Sequence, residues 1–257
     1  CSELYPNLYR DETAVRLIDE IDYDFSEAKK NSRRLMQRFG SLEVAMRQND
    51  LACEVRDYLK SHPKAAVVNL GCGLDSTGKS CDNGSCKIYN LDLPAVIAVR
   101  NELLPAGERE KNIPCDLNNT EWFRKIDSSN GAVFFSSGVF YYFLTEQVKA
   151  LVQQMADTFP GSVLVFDAAN RTAVKMIAKT WLKSATIQDV GAYFAVSDAP
   201  QEISAWDSRL QVTSRGYMLG YSDLRDPSVS GFFRFLARVG DGMMKMQIVK
   251  IRFGGNQ

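Results

Sequence analysis

The chain has 257 residues, 45% of them hydrophobic and 24% charged, the composition of a globular protein with enough apolar material for one substantial core. Lys plus Arg equals Asp plus Glu at 31 each, so no global field would hold the chain on nucleic acid or on an anionic membrane. The longest apolar runs, Gly131 to Leu144 and Ser162 to Ala169, are too short or too interrupted for a membrane span of about 20 residues and read as buried strands. No basic-then-apolar leader follows Cys1, and the expected compartment is the cytoplasm.

In chain order, residues 12–58 read as helix. Ala14, Leu17, Ile18 and Ile21 fall at i, i+3, i+4 and i+7, and Val44, Leu51, Val55 and Leu59 keep the same period. Ser61-His62-Pro63-Lys64 ends this stretch, and Ala65 to Leu70 forms a short strand that runs into Gly71-Cys72-Gly73. Lys87 to Asp92 reads as a second strand, followed by Pro94 and a helix from Ala95 to Leu104. Ile113 to Leu117 is the expected third strand and Gly131 to Val139 the fourth. Thr145 to Phe159 is an amphipathic helix, and Ser162 to Ala169 a fifth strand after the Pro160-Gly161 turn. Strands alternating with helices predict a mostly parallel sheet covered on both faces. Beyond Asn170 the expectations are a helix to Lys183, a strand at Tyr193 to Val196 and a short helix from Pro200 to Trp206. There follow a segment from Gln211 to Tyr221, a helix from Val229 to Val239, a Gly-Asp-Gly turn and a strand from Lys245 to Phe253.

The chemistry concentrates at strand ends. Gly71 and Gly73 let the backbone pass close to a ligand where a Cβ would collide, at the edge where doubly wound sheets bind ligands. The third glycine of the dinucleotide fingerprint is missing. Asp92, which ends the second strand 21 positions after Gly71 with Leu93 beside it, is placed to accept hydrogen bonds from both ribose hydroxyls of an adenosine. NAD and S-adenosylmethionine both satisfy that geometry, and a capping carboxylate before Pro94 is the plainer reading of Asp92. Asp116 and Leu117 offer a carboxylate for an adenine amino group and an apolar neighbour for the ring, although Asp116 also suits an N-cap. The fourth strand ends in Ser136 and Ser137, small residues that admit a ligand, followed by the aromatics Phe140 to Phe143.

Six cysteines, Cys1, Cys53, Cys72, Cys81, Cys86 and Cys115, are too sparse for a disulfide framework, and reduced thiols are expected. Cys81 and Cys86 have no second pair behind them and His62 is the one histidine, so no metal site is expected.

Taken in order, Asp11-Glu-Thr-Ala14, Ile21-Asp-Tyr-Asp-Phe25, Arg47-Gln-Asn-Asp50, Val67 to Asp75, Asp92-Leu-Pro-Ala-Val96 and Ser137-Gly-Val-Phe-Tyr-Tyr-Phe143 resemble the leucine carboxyl methyltransferase family. The resemblance is to its bacterial branch, which looks like the O-methyltransferases of polyketide biosynthesis. It implies an α/β, Rossmann-like class I methyltransferase fold: a mostly parallel central sheet of about seven strands, helices on both faces and an N-terminal helical cap. One domain would span 1–257, with the cap at 1–62, the cofactor-binding core at 63–170, and the remaining sheet and substrate-side elements at 171–257.

The cofactor implied is S-adenosyl-L-methionine. Arg47 would pair with its methionine carboxylate, Gly71 and Gly73 would lie against its methionyl portion, Asp92 would meet its ribose, and Asp116 with Leu117 its adenine; Cys72, Leu93 and Ser136 beside them are further candidates for cofactor contact. Arg47 suits a carboxylate through two parallel hydrogen bonds, while an ordinary helix-surface pair with Glu43 is the alternative. Many relatives carry an acidic residue where this chain has Ser137 and an arginine-containing loop where it has Ser76 to Cys86, so no catalytic residue is assigned. His62 precedes the first strand, at the edge opposite the ligands.

The expected reaction is O-methylation of a carboxyl or phenolic hydroxyl on a small molecule. Tyr5, Tyr9, Tyr141, Tyr142 and Trp206 are candidates for the acceptor pocket, each also suited to the core. Three other readings stand beside it: methylation of a protein's terminal carboxylate, a binding protein that has lost catalysis, and an NAD-dependent oxidoreductase. The last is disfavoured by the missing glycine and by the lack of a Tyr-x-x-x-Lys or a well-placed histidine. Oligomeric state is not legible.

Overall fold

A computed structural model describes residues 3–26, 30–31, 34–177, 191, 193–221 and 224–254. Helix α1, Glu12–Glu20, starts where the Asp11 carboxylate accepts the Ala14 N–H at 2.8 Å. The long α2 spans Leu35–Ser61 and packs one face on the sheet. The predicted 12–58 stretch is thus two helices at least, with extended backbone at Ile21 between them.

Seven strands form one sheet in the order β3-β2-β1-β4-β5-β7-β6. They are β1 Ala66–Leu70, β2 Lys87–Asp92, β3 Glu110–Pro114, β4 Ala132–Ser136, β5 Val163–Ala168, β6 Leu210–Gly216 and β7 Gln247–Phe253. The first five are parallel, and β7 lies antiparallel between β5 and β6. The chain builds outward from β1 to β3 and then crosses to β4 on the other side of β1. The crevice between β1 and β4 is therefore the switch point at which open α/β sheets take their ligands.

Side-chain alternation explains the continuous apolar runs. Val68, Leu70, Phe134 and Phe166 point into one core with Trp122, Phe159 and Met155, while Val67, Val133, Phe135 and Val165 point into the other with Leu51, Val55 and Tyr58 of α2. Among the described residues the other helices are α3 Thr77–Ser80, α4 Pro94–Leu103, α5 Thr145–Thr158, α6 Arg171–Ile177, α7 Ala199–Ser204 and α8 Gly231–Gly242. No described helix is long and apolar enough to cross a membrane.

Three expectations are corrected. Strand β3 begins three residues earlier than predicted, because Glu110 and Asn112 turn inward to polar partners: both accept from Asn90 Nδ2, at 2.7 and 3.0 Å. Tyr193 to Val196 is not a strand in its described residues; Tyr193 and Val196 instead donate to the isolated carbonyls of Tyr141 and Ala169, at 2.7 and 2.9 Å. The predicted Gly-Asp-Gly turn is the last turn of α8, held there by Asp241, which accepts from the backbone of Met218 and Leu219 at 3.0 and 2.9 Å. The segment from Gln211 to Tyr221, given no element type by the sequence, is strand as far as Gly216. The helix expected to reach Lys183 is described to Ile177, and the remainder lies outside the described residues.

Candidate functional site

Strand β1 ends in a turn that needs glycine twice. Gly71 and Gly73 have φ of +70° and +48°. A Cβ on Gly71 would come within 2.5 Å of Val139 Cγ2, so this glycine sets how closely the turn after β1 approaches the turn after β4. A Cβ on Gly73 would meet nothing within 4 Å, which leaves its backbone open on the ligand side. Asp92 joins β2 to this turn: its Oδ2 accepts the Gly73 N–H at 2.7 Å and its Oδ1 the Leu93 N–H at 2.7 Å.

Two residues to which the sequence reading gave no role, Arg100 and Asp75, hold the turn. Arg100 of α4 is buried and its Nη1 donates to the carbonyls of Gly73 and Asp75 at 2.9 and 2.8 Å, with its Nε on Asn112 at 3.2 Å and Glu110 3.8 Å away. Asp75 accepts from Asn69, Gln48 and both the backbone and hydroxyl of Thr77 at 2.7–3.2 Å. Burial nevertheless pushes its carboxyl above the usual range. Arg100 sits three residues after Ile97 on the inward face of its helix, the one sequence signal that could have marked it.

At the ends of β4 and β5 a second polar group gathers around Arg47. Its Nη1 lies 3.1 Å from Asp167 Oδ2, with the two side chains 19% and 1% exposed. Asp167 Oδ1 accepts the Gly138 N–H at 2.6 Å, and the Tyr141 hydroxyl hydrogen-bonds the same carboxylate. Arg47 also lies against Gly138, whose Cβ position is 3.4 Å from the guanidinium nitrogens. Opposed by desolvation, the Asp167 charge still holds the guanidinium above its usual range. Glu43, the alternative partner for Arg47, instead accepts from the Tyr217 hydroxyl at 3.2 Å, and burial raises its carboxyl. Burial likewise raises Tyr141 and Tyr217, so both hydroxyls keep their protons.

Glu43 and Arg47 continue down the same face of α2 as Asp50 and Glu54. Asp50 is fully buried, has one carboxylate oxygen without a hydrogen bond and is pushed up to about 8 by desolvation. Glu54 accepts from Tyr221 and from Lys250 of β7, the latter at 2.8 Å.

The other sequence candidates fall in different places. Cys72 is buried, its thiol pushed up to about 12 by desolvation, and Ser136 is buried with its hydroxyl on the Leu70 carbonyl at 3.1 Å, tying β4 to β1. Asp116 is exposed and accepts both the backbone and the side-chain N–H of Asn118 at 2.9 Å, whereas the Leu117 side chain packs in the core beside Trp122. Tyr5 is fully buried with its hydroxyl on the Arg38 carbonyl at 2.8 Å. Tyr9 donates to Asp11 at 3.2 Å and, with Gln48, Asn49, Ser76 and Thr77, lines a cavity of about 190 Å3 beside the turn after β1. Tyr142 is 43% exposed, and Trp206 packs against Phe194. His62 stacks on Tyr58 with ring centroids 4.4 Å apart, at the amino end of β1. Cys81 and Cys86 are buried, with their sulfurs near the Ala52 carbonyl and Asp82, and no group of three or more potential metal ligands occurs among the described residues.

Residues 2–156 match the leucine carboxyl methyltransferase family. The chain belongs to that family. Among curated relatives, the tetracenomycin polyketide synthesis O-methyltransferase of Streptomyces glaucescens is 26% identical over 159 residues, 62% of this chain, and the match spans only 57% of that relative's length. Among solved structures, a Thermobifida fusca protein assigned to the methyltransferases has a TM-score of 0.59 at 18% identity, covering 83% of this chain and 82% of that one. The magnesium protoporphyrin IX methyltransferase of Synechocystis, solved with S-adenosylhomocysteine bound, has a TM-score of 0.52 at 14% identity, covering 94% and 99%. At such identities the structural likeness establishes the fold. The family is named for methyl transfer, a reaction for which S-adenosylmethionine is the fitting cofactor.

The residues present fit that cofactor. Arg47 Nε and Ser137 Oγ are buried without hydrogen-bond partners among the described residues, beside a turn whose Gly73 face is open. A guanidinium that could bind a carboxylate and a carboxylate that could accept from ribose hydroxyls thus stand along one edge.

Proposed function

We propose that this chain transfers the methyl group of S-adenosylmethionine to a carboxyl or phenolic hydroxyl of a small molecule. The observation that carries the reading is convergence: the Gly71–Gly73 turn, Asp92 and Arg47 come from three separate stretches of chain to the carboxyl edge of one sheet. Arg47 would hold the methionine carboxylate, Gly71 to Gly73 the methionyl chain, Asp92 and Leu93 the ribose, and Asp116 the adenine amino group. Bound there, S-adenosylmethionine supplies a methyl group on a cationic sulfur, ready for in-line displacement.

The work left to the protein is alignment and the exclusion of water. Tyr141 and Tyr217 keep their protons and direct them to the carboxylates of Asp167 and Glu43, which steadies this wall of the site. A carboxyl acceptor is already ionised at neutral pH and needs no base, whereas a phenol, with a pKa near 10, gains from one. The Streptomyces relative, an O-methyltransferase of polyketide synthesis, supports a small-molecule acceptor.

Calorimetry with S-adenosylmethionine, S-adenosylhomocysteine and NAD, followed by a labelled-methyl assay over aromatic acids and polyphenols, tests the reading. Binding of both adenosyl ligands and transfer to an oxygen are expected. Rates nearly flat from about pH 6 to 9 would mark a carboxyl acceptor, and rates rising with pH a phenol. Binding of NAD alone overturns the reading, and adenosylmethionine binding without transfer to any acceptor reduces it to a binding protein.

A further inference from the structure

We propose that the open edge of strand β3 is a docking site for an acidic, extended peptide, which adds to the seven-stranded sheet as one strand more. The site stands two strands away from β1, on the side opposite β4, and is independent of the cofactor reading.

Among the described residues β3 pairs with β2 and with no strand beyond it. The Arg109 carbonyl accepts from Ile88 at 2.8 Å and the Cys115 N–H donates to the Asp92 carbonyl at 2.8 Å, so the odd-numbered residues turn their backbone toward β2. Asn112 therefore turns its N–H and C=O outward, with the Glu110 carbonyl beside them. The Glu110 N–H is closed off on the Gly107 carbonyl at 3.0 Å, and Pro114 has none. A cavity of about 670 Å3 follows this edge. Side chains alternate across a strand, Glu110 and Asn112 to one face and Lys111 and Ile113 to the other, and all four line the cavity, which places it beside the strand rather than over one face.

The walls select the occupant by charge. Lys111 is joined by Arg124 and Lys125 from the 3-10 turn Thr120–Lys125, and the same three exposed cations line a second cavity of about 310 Å3 that reaches Tyr89 of β2. Their charged neighbours are already matched: Lys87 pairs with Asp127 at 2.5 Å, Arg109 with Asp82 at 2.6 Å, and Glu110 accepts from Asn90 at 2.7 Å. Glu108 is left to oppose Lys111, Arg124 and Lys125, a positive surplus in a chain whose charges balance. Acidic side chains at every second position of an added strand would meet these cations on the Lys111 face, while Asn101 and Asn112 on the other face suit small polar ones. A free polyanion would use the charges but not the Asn112 backbone, and a nucleic acid offers no strand to pair with it.

The test is fluorescence anisotropy on the full chain at low salt with three labelled peptides of about nine residues: one alternating Glu and Thr, the same with Lys for Glu, and the acidic one methylated on every backbone nitrogen. The acidic peptide should bind one to one and weaken as salt is added, and the lysine peptide should not bind. The methylated peptide keeps the charge but has no backbone donors, and should bind at least about tenfold more weakly. Lys111→Glu and Arg124→Glu, both at exposed positions, should each weaken the acidic peptide by about tenfold or more. By NMR, hydrogen exchange at the Asn112 amide should slow in the complex while that of Ile113, already turned to β2, stays as it was. Equal binding of the methylated peptide, or displacement by tripolyphosphate with no protection of Asn112, would make the edge a plain anion site and overturn the proposal. Tighter binding of an oligothymidylate of the same charge would overturn it in favour of nucleic acid, and no binding of the acidic peptide would leave β3 a solvated edge. Should a variant fail to melt like the wild type, the peptide series decides, since it leaves the protein unaltered.

Discussion

The two glycines after β1 do different jobs although they stand two residues apart. Gly71 combines a positive φ with a side-chain neighbour 2.5 Å from its Cβ position, while Gly73 has the positive φ and open space. Gly71→Ala should therefore cost about 3 kcal/mol, from left-handed strain plus overpacking against Val139. Gly73→Ala should cost about 1 kcal/mol, and any larger effect should fall on ligand affinity. Urea melts of the two variants check this, and equal losses would remove Val139 from the account. Gly71, Gly73 and Asp92 could be singled out from the sequence because each stands at the end of a predicted strand, although Asp92 also read as a cap before Pro94. Asp167 closes Val163 to Ala168 in the same manner as Asp92 closes β2, yet its partner Arg47 lies 120 residues away, and no local pattern reveals such a pairing. Tyr5 illustrates the opposite difficulty: an aromatic near the amino terminus reads alike as pocket wall or core, and burial decides.

Between elements, α4 acts as a clamp on the turn after β1 through one side chain. The fork of Arg100 bridges the Gly73 and Asp75 carbonyls while its Nε reaches Asn112 of β3, so helix, turn and edge strand are fastened at one point. Lysine is a compact charge without the fork. Arg100→Lys should lose about 1–3 kcal/mol of stability and weaken S-adenosylhomocysteine binding, as read by melting and calorimetry. Full retention of both would show that the clamp is dispensable. The helix was visible from its period and from Pro94 at its start, but the inward arginine was not, because the sequence does not say which polar residue on an apolar face has partners waiting. The edge strand was misplaced for a related reason. Glu110 and Asn112 break the apolar alternation by which a strand is recognised, and they are half-buried against polar partners.

Over the whole molecule, the buried face of α2 makes stability depend on pH. Asp50 titrates near 8 in the folded chain, against about 3.9 when unfolded. Between those values the folded state holds a proton that the unfolded state has released, so this group makes stability fall as pH rises, by up to about 1.4 kcal/mol per unit. Asp50→Asn removes that slope. The urea midpoint of the variant minus that of the wild type should grow from pH 5 to pH 8, and parallel midpoints would refute the assignment. The five parallel strands and their order of appearance were readable from the βα rhythm, whereas the reversal of β7 was not, since an antiparallel strand buried on both faces has the same apolar run as a parallel one.

That reversal has an effect on where novelty can enter the molecule. Because β7 runs backwards, β6 regains the direction of β5 and delivers Tyr217 to the edge where Glu43 waits. The stretch that matches the family ends at residue 156, and Asp167 and Tyr217 both lie beyond it while touching residues inside it. This edge thus combines residues inside the matched stretch with residues beyond it. Changes confined to the last hundred residues can rewrite one wall of the pocket while the turn after β1 stays as it is.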